Sequence, residues 1–260
     1  MQALEISSAV VQYSLNPAPE LGPIDPFWQL VFTSISGIAA LGAIIYLIRE
    51  AVVHRTVLPL MMIIGTTAAL WFEPIFDMMA FLIYPHEGAW VAVESFGRKV
   101  PWVDTLAYYF YFPLPMWYFM KKFDERAPAA FFWKSYAIIV ASSMVIEIPY
   151  MATGMWKYYG GQPLVFMGYP ALLAFWSSPC MFGGGFVFHK IRHRMDGWKV
   201  VLAIPLMPMI ILGFSCQVLY PYTTALHMPP DEMRYLAGAI GTALFSMLTM
   251  WFLFPSFKKK

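Results

Sequence analysis

Seven stretches of mostly apolar residues, each long enough to cross a bilayer, constrain this chain more than any other feature of its sequence. The hydrocarbon core of a membrane requires about 20 such residues in a helix. The sequence therefore predicts an all-α membrane protein, folded as a bundle of seven transmembrane helices. The predicted helices cover residues 27–48, 57–84, 103–120, 129–152, 164–188, 200–220 and 235–254.

The composition supports this prediction and excludes other classes. Apolar residues make up 60% of the 260 residues and charged residues only 12%, whereas a soluble domain carries about 25% charged residues. A water-soluble globule and a disordered chain are therefore both excluded. The net charge of +2 provides no surface for a nucleic acid.

The chain outside the apolar stretches is short, so we predict three regions. Residues 1–26 form an extracytoplasmic N-terminal tail, residues 27–254 the transmembrane domain, and residues 255–260 a basic cytoplasmic tail. Within the first tail, residues 3–15 are compatible with a weak amphipathic helix at the membrane interface or with a loose segment.

The distribution of basic residues predicts the orientation in the membrane. Of the 17 Lys and Arg residues, 13 follow predicted helices one, three, five and seven, and four follow helices two, four and six. Cytoplasmic loops carry an excess of Lys and Arg. The N-terminus is therefore predicted outside and the C-terminus in the cytoplasm, an arrangement compatible with a plasma membrane.

Four carboxylates stand at or near membrane depth, all in the predicted outer half of the bundle. Glu73 and Asp77 belong to helix two, Asp104 to the start of helix three, and Glu147 to helix four. An ionisable group at the centre of a membrane helix costs at least about 2.5 kcal/mol. Because Glu73 and Asp77 are four residues apart, they share one helix face. The pattern predicts a cavity that the acids share.

Desolvation favours the neutral form of a carboxyl group, which can then donate a proton. A buried acid of this kind can act as a general acid, with a better solvated carboxylate as the base or as the partner that orients it. Two plainer interpretations stay open. Buried acids often only hydrogen-bond a neighbouring helix, and Asp104 could be a helix cap at the interface.

Aromatic residues make up 18% of the chain, and many Trp and Tyr residues fall near the predicted outer helix ends. The plain interpretation is an aromatic belt at the membrane interface. The functional interpretation is a pocket whose ring faces stabilise a cation, which would suit a reaction through a carbocation. The candidate walls are Trp71, Tyr108, Tyr111 and Tyr150.

Other chemistries lack their sequence signals. The seventh stretch contains no lysine for a retinal Schiff base, and no aspartate-rich cluster is present to chelate magnesium and ionise a diphosphate. His189 and His193 are four residues apart, a spacing that could bind a metal, but their segment is better interpreted as a positively charged cytoplasmic anchor. We predict neither a metal nor a cofactor.

Helix two carries a glutamate, Glu73, in the segment Trp-Phe-Glu-Pro. In its length, its number of helices and its intramembrane acids, the chain resembles the small seven-helix integral-membrane terpene cyclases of meroterpenoid and indole-sesquiterpenoid pathways. In that family, intramembrane acids protonate a terminal epoxide or alkene of a prenyl chain, and cyclisation follows. The resemblance implies a lipophilic prenylated substrate and a general acid, Glu73, whose partner is Asp77 or Glu147.

The family's second acid is expected late in the chain, where Asp231 and Glu232 are the nearest candidates. Sterol isomerases of the endoplasmic reticulum are similar in chemistry, since they also protonate an alkene with membrane acids, but they have fewer helices. Two interpretations without chemistry stay open. The chain could be a proton-coupled carrier or sensor of a lipophilic ligand, or a partner subunit whose acids only stabilise the bundle.

Overall fold

The computed structural model describes residues 18–254, which fold as a helical bundle. The predicted segment 3–15 and the basic tail 255–260 lie outside the described residues. The helices are α1 (Pro26–Val53), α2 (Leu58–Ala69), α3 (Glu73–Ala80), α4 (Trp102–Tyr111), α5 (Pro113–Asp124), α6 (Ala129–Ala152), α7 (Ser178–Ile191), α8 (Ala203–Leu226) and α9 (Glu232–Leu253). Four short 3-10 helices, Leu70–Phe72, Ala171–Phe175, Arg192–Arg194 and Gly197–Leu202, lie at the ends of these helices.

The predicted transmembrane helical character is confirmed for six stretches between residues 18 and 254, each long and apolar enough to cross a membrane. The third predicted helix instead consists of α4 and α5, which contain 10 and 12 residues. Each is shorter than the roughly 20 residues that a span requires. The break falls at Phe112, directly before Pro113, which has no amide hydrogen and disfavours helical geometry in the residue before it.

The second predicted helix is interrupted and shorter than predicted. Residues 70–72 form a 3-10 turn between α2 and α3, and α3 ends at Ala80, directly before Phe81, whose φ of 54° is left-handed. Tyr84 therefore lies in a loop and not at the end of the helix. The fifth helix begins later than predicted, because residues 165–170 form a hairpin whose turn contains Gly168 at φ 87°.

Six short strands cover one end of the bundle. They form three antiparallel pairs: β1 (Leu82–Ile83) with β4 (Lys157–Tyr158), β2 (Val91–Ser95) with β3 (Arg98–Pro101), and β5 (Val165–Phe166) with β6 (Tyr169–Pro170). The strands follow α3 and α6, so their two segments of chain meet at the same end, which we call the strand end. The sequence pattern did not predict these strands.

At the opposite end, which we call the basic end, the ends of α1, α5 and α7 lie close together. The ammonium group of Lys121 lies 2.7 Å from Glu50, and the guanidinium of Arg192 lies 2.8 Å from Asp124. The segments after predicted helices one, three and five therefore meet on one side, as alternating helix direction requires. Which side of a membrane they face stays a prediction.

Helices α5 and α7 pack closely, whereas few residues of α6 are buried. At Gly185 in α7 an added Cβ would lie 2.9 Å from the backbone nitrogen of Met120, so this glycine permits the close approach of α5. By contrast, only four of the 24 residues of α6 are buried. The face of α6 that carries Ser143 and Tyr150 is therefore its main contact with the protein.

Candidate functional site

A cavity of about 110 Å³ lies at the strand end between α3, α4 and α6, below the β1–β4 pair. We call it the acid cavity, because four carboxylates line it: Glu73, Asp77, Asp104 and Glu147. Its volume is several times the roughly 10–15 Å³ that a single water requires by this measure. The structure therefore brings together all four acids that the sequence places at one depth.

Local backbone geometry positions the acids. Glu73 opens α3 after the 3-10 turn, and Pro74 occupies the first turn, where its missing amide hydrogen removes no helical hydrogen bond. Asp77 follows one turn later on the same face. Asp104 lies in the first turn of α4, and Glu147 lies near the end of α6. Three separate elements thus converge on one cavity.

Two tyrosines hold the buried carboxylate of Glu73. The hydroxyl of Tyr108 donates a hydrogen bond to Oε2, and the hydroxyl of Tyr84 donates a long one, 3.5 Å, to Oε1. Burial raises the pKa of Tyr84, in the loop after β1, well above its usual value. Tyr84 therefore stays a protonated donor, and both hydroxyls can stabilise a negative charge on Glu73.

The carboxylate of Glu147 has two donors, both from the segment that follows α6. Trp156 Nε1 donates to Glu147 Oε2 at 3.0 Å, and the hydroxyl of Tyr158 donates to the same oxygen at 3.4 Å. Burial raises the pKa of the Tyr158 phenol well above its usual value, so it also stays a donor. Glu147 thus joins α6 to the strand end.

Asp77 and Asp104 are less satisfied than the two glutamates. One carboxylate oxygen of each, Oδ2, is buried and has no hydrogen-bond partner among residues 18–254. Unpaired buried polar atoms are rare in folded proteins, and the side chain of Asp77 is only 2% exposed. Two acceptor positions therefore remain for a group that the described residues do not supply.

The described residues that line the acid cavity include no Lys, Arg or His. Arg98, in the strand-end hairpin, is the cation that acts on Asp77 from outside the cavity lining. Its guanidinium donates to the carbonyl of Leu82 at 2.7 Å and to the hydroxyl of Tyr159 at 3.2 Å. The acids therefore face neutral donors and apolar walls, and a carboxyl group there can carry a proton toward a ligand.

Three of the four predicted aromatic walls line the cavity: Tyr108, Tyr111 and Tyr150. The hydroxyl of Tyr111 lies 2.9 Å from Ser143 Oγ and donates to Ser177 Oγ at 2.9 Å, which fixes the ring. Trp71 does not line the cavity. It lies in the 3-10 turn before Glu73, off the face of the acids, and its side chain is 57% exposed.

The late acids Asp231 and Glu232 do not join this cluster. Both are exposed at the start of α9, where the side chain of Asp231 accepts a hydrogen bond from the amide of Arg234 at 3.0 Å. This is the geometry of a helix N-cap. Neither residue therefore belongs to the acid cavity.

Sequence reasoning missed three side chains that contact the acids: Tyr84, Trp156 and Tyr158. All three belong to the strand end, and the pairing of Leu82 with Tyr158 brings their two segments together over the cavity. The sequence indicates only that they belong to the aromatic residues near the outer helix ends, for which an interface belt and a pocket both stay open. Only the strand pairing, which the sequence does not reveal, distinguishes them from other outer aromatic residues.

Comparisons with protein-family models, curated proteins and solved structures find no match to this chain.

Proposed function

We propose that this protein is a membrane-embedded cyclase or isomerase that protonates an epoxide or alkene of a lipophilic polyprenyl substrate. The observation that supports the proposal is the acid cavity. Four carboxylates face one cavity with largely aromatic and apolar walls, and no cation lines it among the described residues. Such a cavity combines apolar walls with carboxyl groups that can carry a proton.

In the proposed reaction Glu73 is the general acid. With an epoxide substrate, its proton passes to the epoxide oxygen and a C–O bond breaks. With an alkene substrate, its proton passes to an alkene carbon, and a C–H bond forms from the electrons of the π bond. The hydrogen bonds from Tyr108 and Tyr84 stabilise the carboxylate that remains. Loss of a proton from the final carbocation to Asp77 or Glu147 ends the reaction, so product and substrate have equal mass.

Aromatic rings supply the other requirement of this chemistry. A carbocation inside an apolar cavity gains stability from ring faces, and Tyr108, Tyr111 and Tyr150 all line the cavity. Tyr108 and Tyr111 belong to α4 and Tyr150 to α6, so rings from two helices line the cavity. The proposed substrate class is a prenylated or epoxy-prenylated lipid, with no metal or cofactor.

We also propose the membrane topology of this enzyme: seven spans, with α4 and α5 together as the third, the strand end outside and the basic end in the cytoplasm of a plasma membrane. The excess of Lys and Arg at the basic end supports this orientation. A cysteine introduced at exposed Glu94 should react with an impermeant thiol reagent on intact cells. Reaction only after cell lysis would contradict the orientation.

Mass spectrometry tests the reaction. Membranes that contain the protein would be supplied with a panel of prenylated and epoxy-prenylated lipids, and we expect a new product of unchanged mass and altered retention. Glu73→Gln should lower its formation by about 100-fold or more, the usual contribution of a general acid. Glu94→Gln, an exposed glutamate at the same end, is the matched control. Full activity of Glu73→Gln would exclude Glu73 as the acid.

The unpartnered oxygens of Asp77 and Asp104 favour a second candidate function, a proton-coupled carrier or sensor of a lipophilic ligand. Such a protein binds its ligand at these oxygens without changing it. Its expected result is a ligand-dependent rise in the unfolding temperature, reduced in Asp77→Asn, without any new product. Product formation would decide for the enzyme.

A further inference from the structure

A second concave region, which we call the outer cleft, lies at the strand end beside the acid cavity and has a volume of about 510 Å³. Pro23, Met151 and Gln162 line it, and Lys157 and Val165 at its edge are exposed. No role in the proposed reaction involves this cleft. Its position between the exposed surface and the acid cavity is the starting point for its assignment.

Two side chains, Trp156 and Tyr158, line both the outer cleft and the acid cavity. They therefore form the wall between the two spaces. The indole of Trp156 stacks on the ring of Tyr150, with ring centroids 4.5 Å apart and planes at 14°. Both side chains are buried. If the pair moved outward, the two spaces would join.

One carboxylate holds both rings. Glu147 Oε2 accepts hydrogen bonds from Trp156 Nε1 at 3.0 Å and from the hydroxyl of Tyr158 at 3.4 Å. No other carboxylate hydrogen-bonds either ring among residues 18–254. Because Glu147 belongs to α6 and the rings belong to the following segment, this oxygen fastens the segment to the helix.

Glycines mark both ends of the segment that carries the two rings. It begins at Gly154 and ends at Gly160, whose φ angles of 75° and 76° are left-handed and favour glycine. Both glycines line or border the outer cleft. The two rings thus lie on a short segment between two glycines, whose backbone pairs with β1 and whose ring hydrogen bonds are held by Glu147.

We propose that the outer cleft is the vestibule of the acid cavity, that Trp156 and Tyr158 form a gate between them, and that Glu147 is the positioning residue that holds this gate closed. The proposal requires only the two spaces and their common wall, and it does not rest on the chemistry proposed for the acids. It assigns Glu147 a role different from that of Glu73, although both line the same cavity.

Thiol accessibility tests the gate without any turnover measurement. Ala80 is small, buried and lines the acid cavity, so Ala80→Cys places a thiol behind the gate. The rate of its reaction with a charged methanethiosulfonate reagent would be measured on the purified protein in detergent micelles. The parent protein, with only Cys180 and Cys216, gives the background rate.

Removing either hydrogen bond should open the gate. In the Ala80→Cys background, Trp156→Phe and Tyr158→Phe should each increase the labelling rate about tenfold. Tyr169→Phe is the matched control, because its hydroxyl is buried next to Tyr158 but has no hydrogen-bond partner among residues 18–254. Equal labelling rates in all three variants would overturn the proposal.

Glu147 provides an independent pair of variants. Glu147→Gln keeps an oxygen that accepts both hydrogen bonds and should label at the parent rate, whereas Glu147→Ala removes the acceptor and should label as fast as Trp156→Phe. An unfolding temperature for each variant shows that it is folded. Identical rates for Glu147→Gln and Glu147→Ala would contradict a positioning role, whatever the result of the lipid panel.

Discussion

The two ends of the bundle treat their acids in opposite ways. At the basic end, Glu50 lies 2.7 Å from the ammonium of Lys121, and Asp124 lies 2.8 Å from the guanidinium of Arg192 and 2.7 Å from His189 Nδ1. At the strand end, the four acids of the cavity have neutral hydrogen-bond donors or unpartnered oxygens. Acids paired with cations stabilise the bundle, whereas the acids of the cavity remain available for a ligand or a proton.

The contrast also distinguishes two kinds of burial. Glu50 is buried, at 4% exposed, yet the indole of Trp117 donates to the same oxygen that Lys121 contacts. Its charge is therefore compensated locally, and removing the charge would leave its partners unsatisfied. Asp77 is equally buried, but among residues 18–254 one of its oxygens has no hydrogen-bond partner and no cation forms an ion pair with it.

Asp77→Asn should have the largest effect, and the effect should be on activity. If the acid cavity is catalytic, turnover should fall by about 100-fold, because the variant loses a group that accepts or relays a proton. The free energy of unfolding should change by less than about 1 kcal/mol, since Asp77 Oδ2 makes no hydrogen bond within the described part of the chain. Product assays and denaturant unfolding in detergent, compared with Glu94→Gln, measure both quantities. A large loss of stability would show that Asp77 stabilises the bundle, as the acids of the basic end do.

Glu50→Gln should show the opposite behaviour. Breaking a buried ion pair costs about 3–5 kcal/mol, and the partial exposure of Lys121 reduces this to about 2 kcal/mol. The measurement is denaturant unfolding, with exposed Glu232→Gln as the control. An unchanged free energy of unfolding would remove the distinction between the two ends.

Asp124→Asn should have a smaller effect, a loss of about 1 kcal/mol in the free energy of unfolding. The side chain of Asp124 is 22% exposed, and asparagine keeps an oxygen that can accept from Arg192. Salt should reduce this loss, because water screens the pair. Unfolding at low and high ionic strength tests the expectation, and a loss that salt does not change would contradict it.

Glu125→Gln should have the smallest effect. Its carboxylate lies 2.7 Å from Lys122 one helical turn away, and it is largely exposed. Exposed pairs of this kind contribute roughly 0.3 kcal/mol. Unfolding measurements should therefore not distinguish this variant from the parent protein. A loss of stability comparable to that of Glu50→Gln would show that burial does not determine how much each acid of the basic end contributes to the free energy of unfolding.

The sequence predicted most of the long apolar helices and a cavity that the four acids share, because both depend on periodicity and on the cost of burial. The helix α6 was predicted with the observed bounds, since Pro128 precedes it and no proline interrupts its first five turns. The breaks at residues 70–72 and at Phe112 were not predicted. A proline in an apolar run indicates a possible break, but tertiary packing decides whether the chain continues as a helix.

The site itself was only partly predictable. Glu73 and Asp77 share a helix face by their spacing alone, which is a local relation. The contacts of Glu147 with Trp156 and Tyr158, and of Glu73 with Tyr84, depend on how loops cross the end of the bundle. Trp71 shows the same limit, because its aromatic character alone suggested a wall of the pocket, whereas its position two residues before Glu73 turns it away from the face of the acids.

The sparse burial of α6 has a consequence for how the protein is handled. With only four of 24 side chains buried, this helix relies on surrounding lipid for most of its lateral contacts in a bilayer. The thickness and fluidity of the membrane then act directly on the helix that carries Glu147. Solubilisation would replace those neighbours, so the choice of detergent becomes an experimental variable of the site and not only of the preparation.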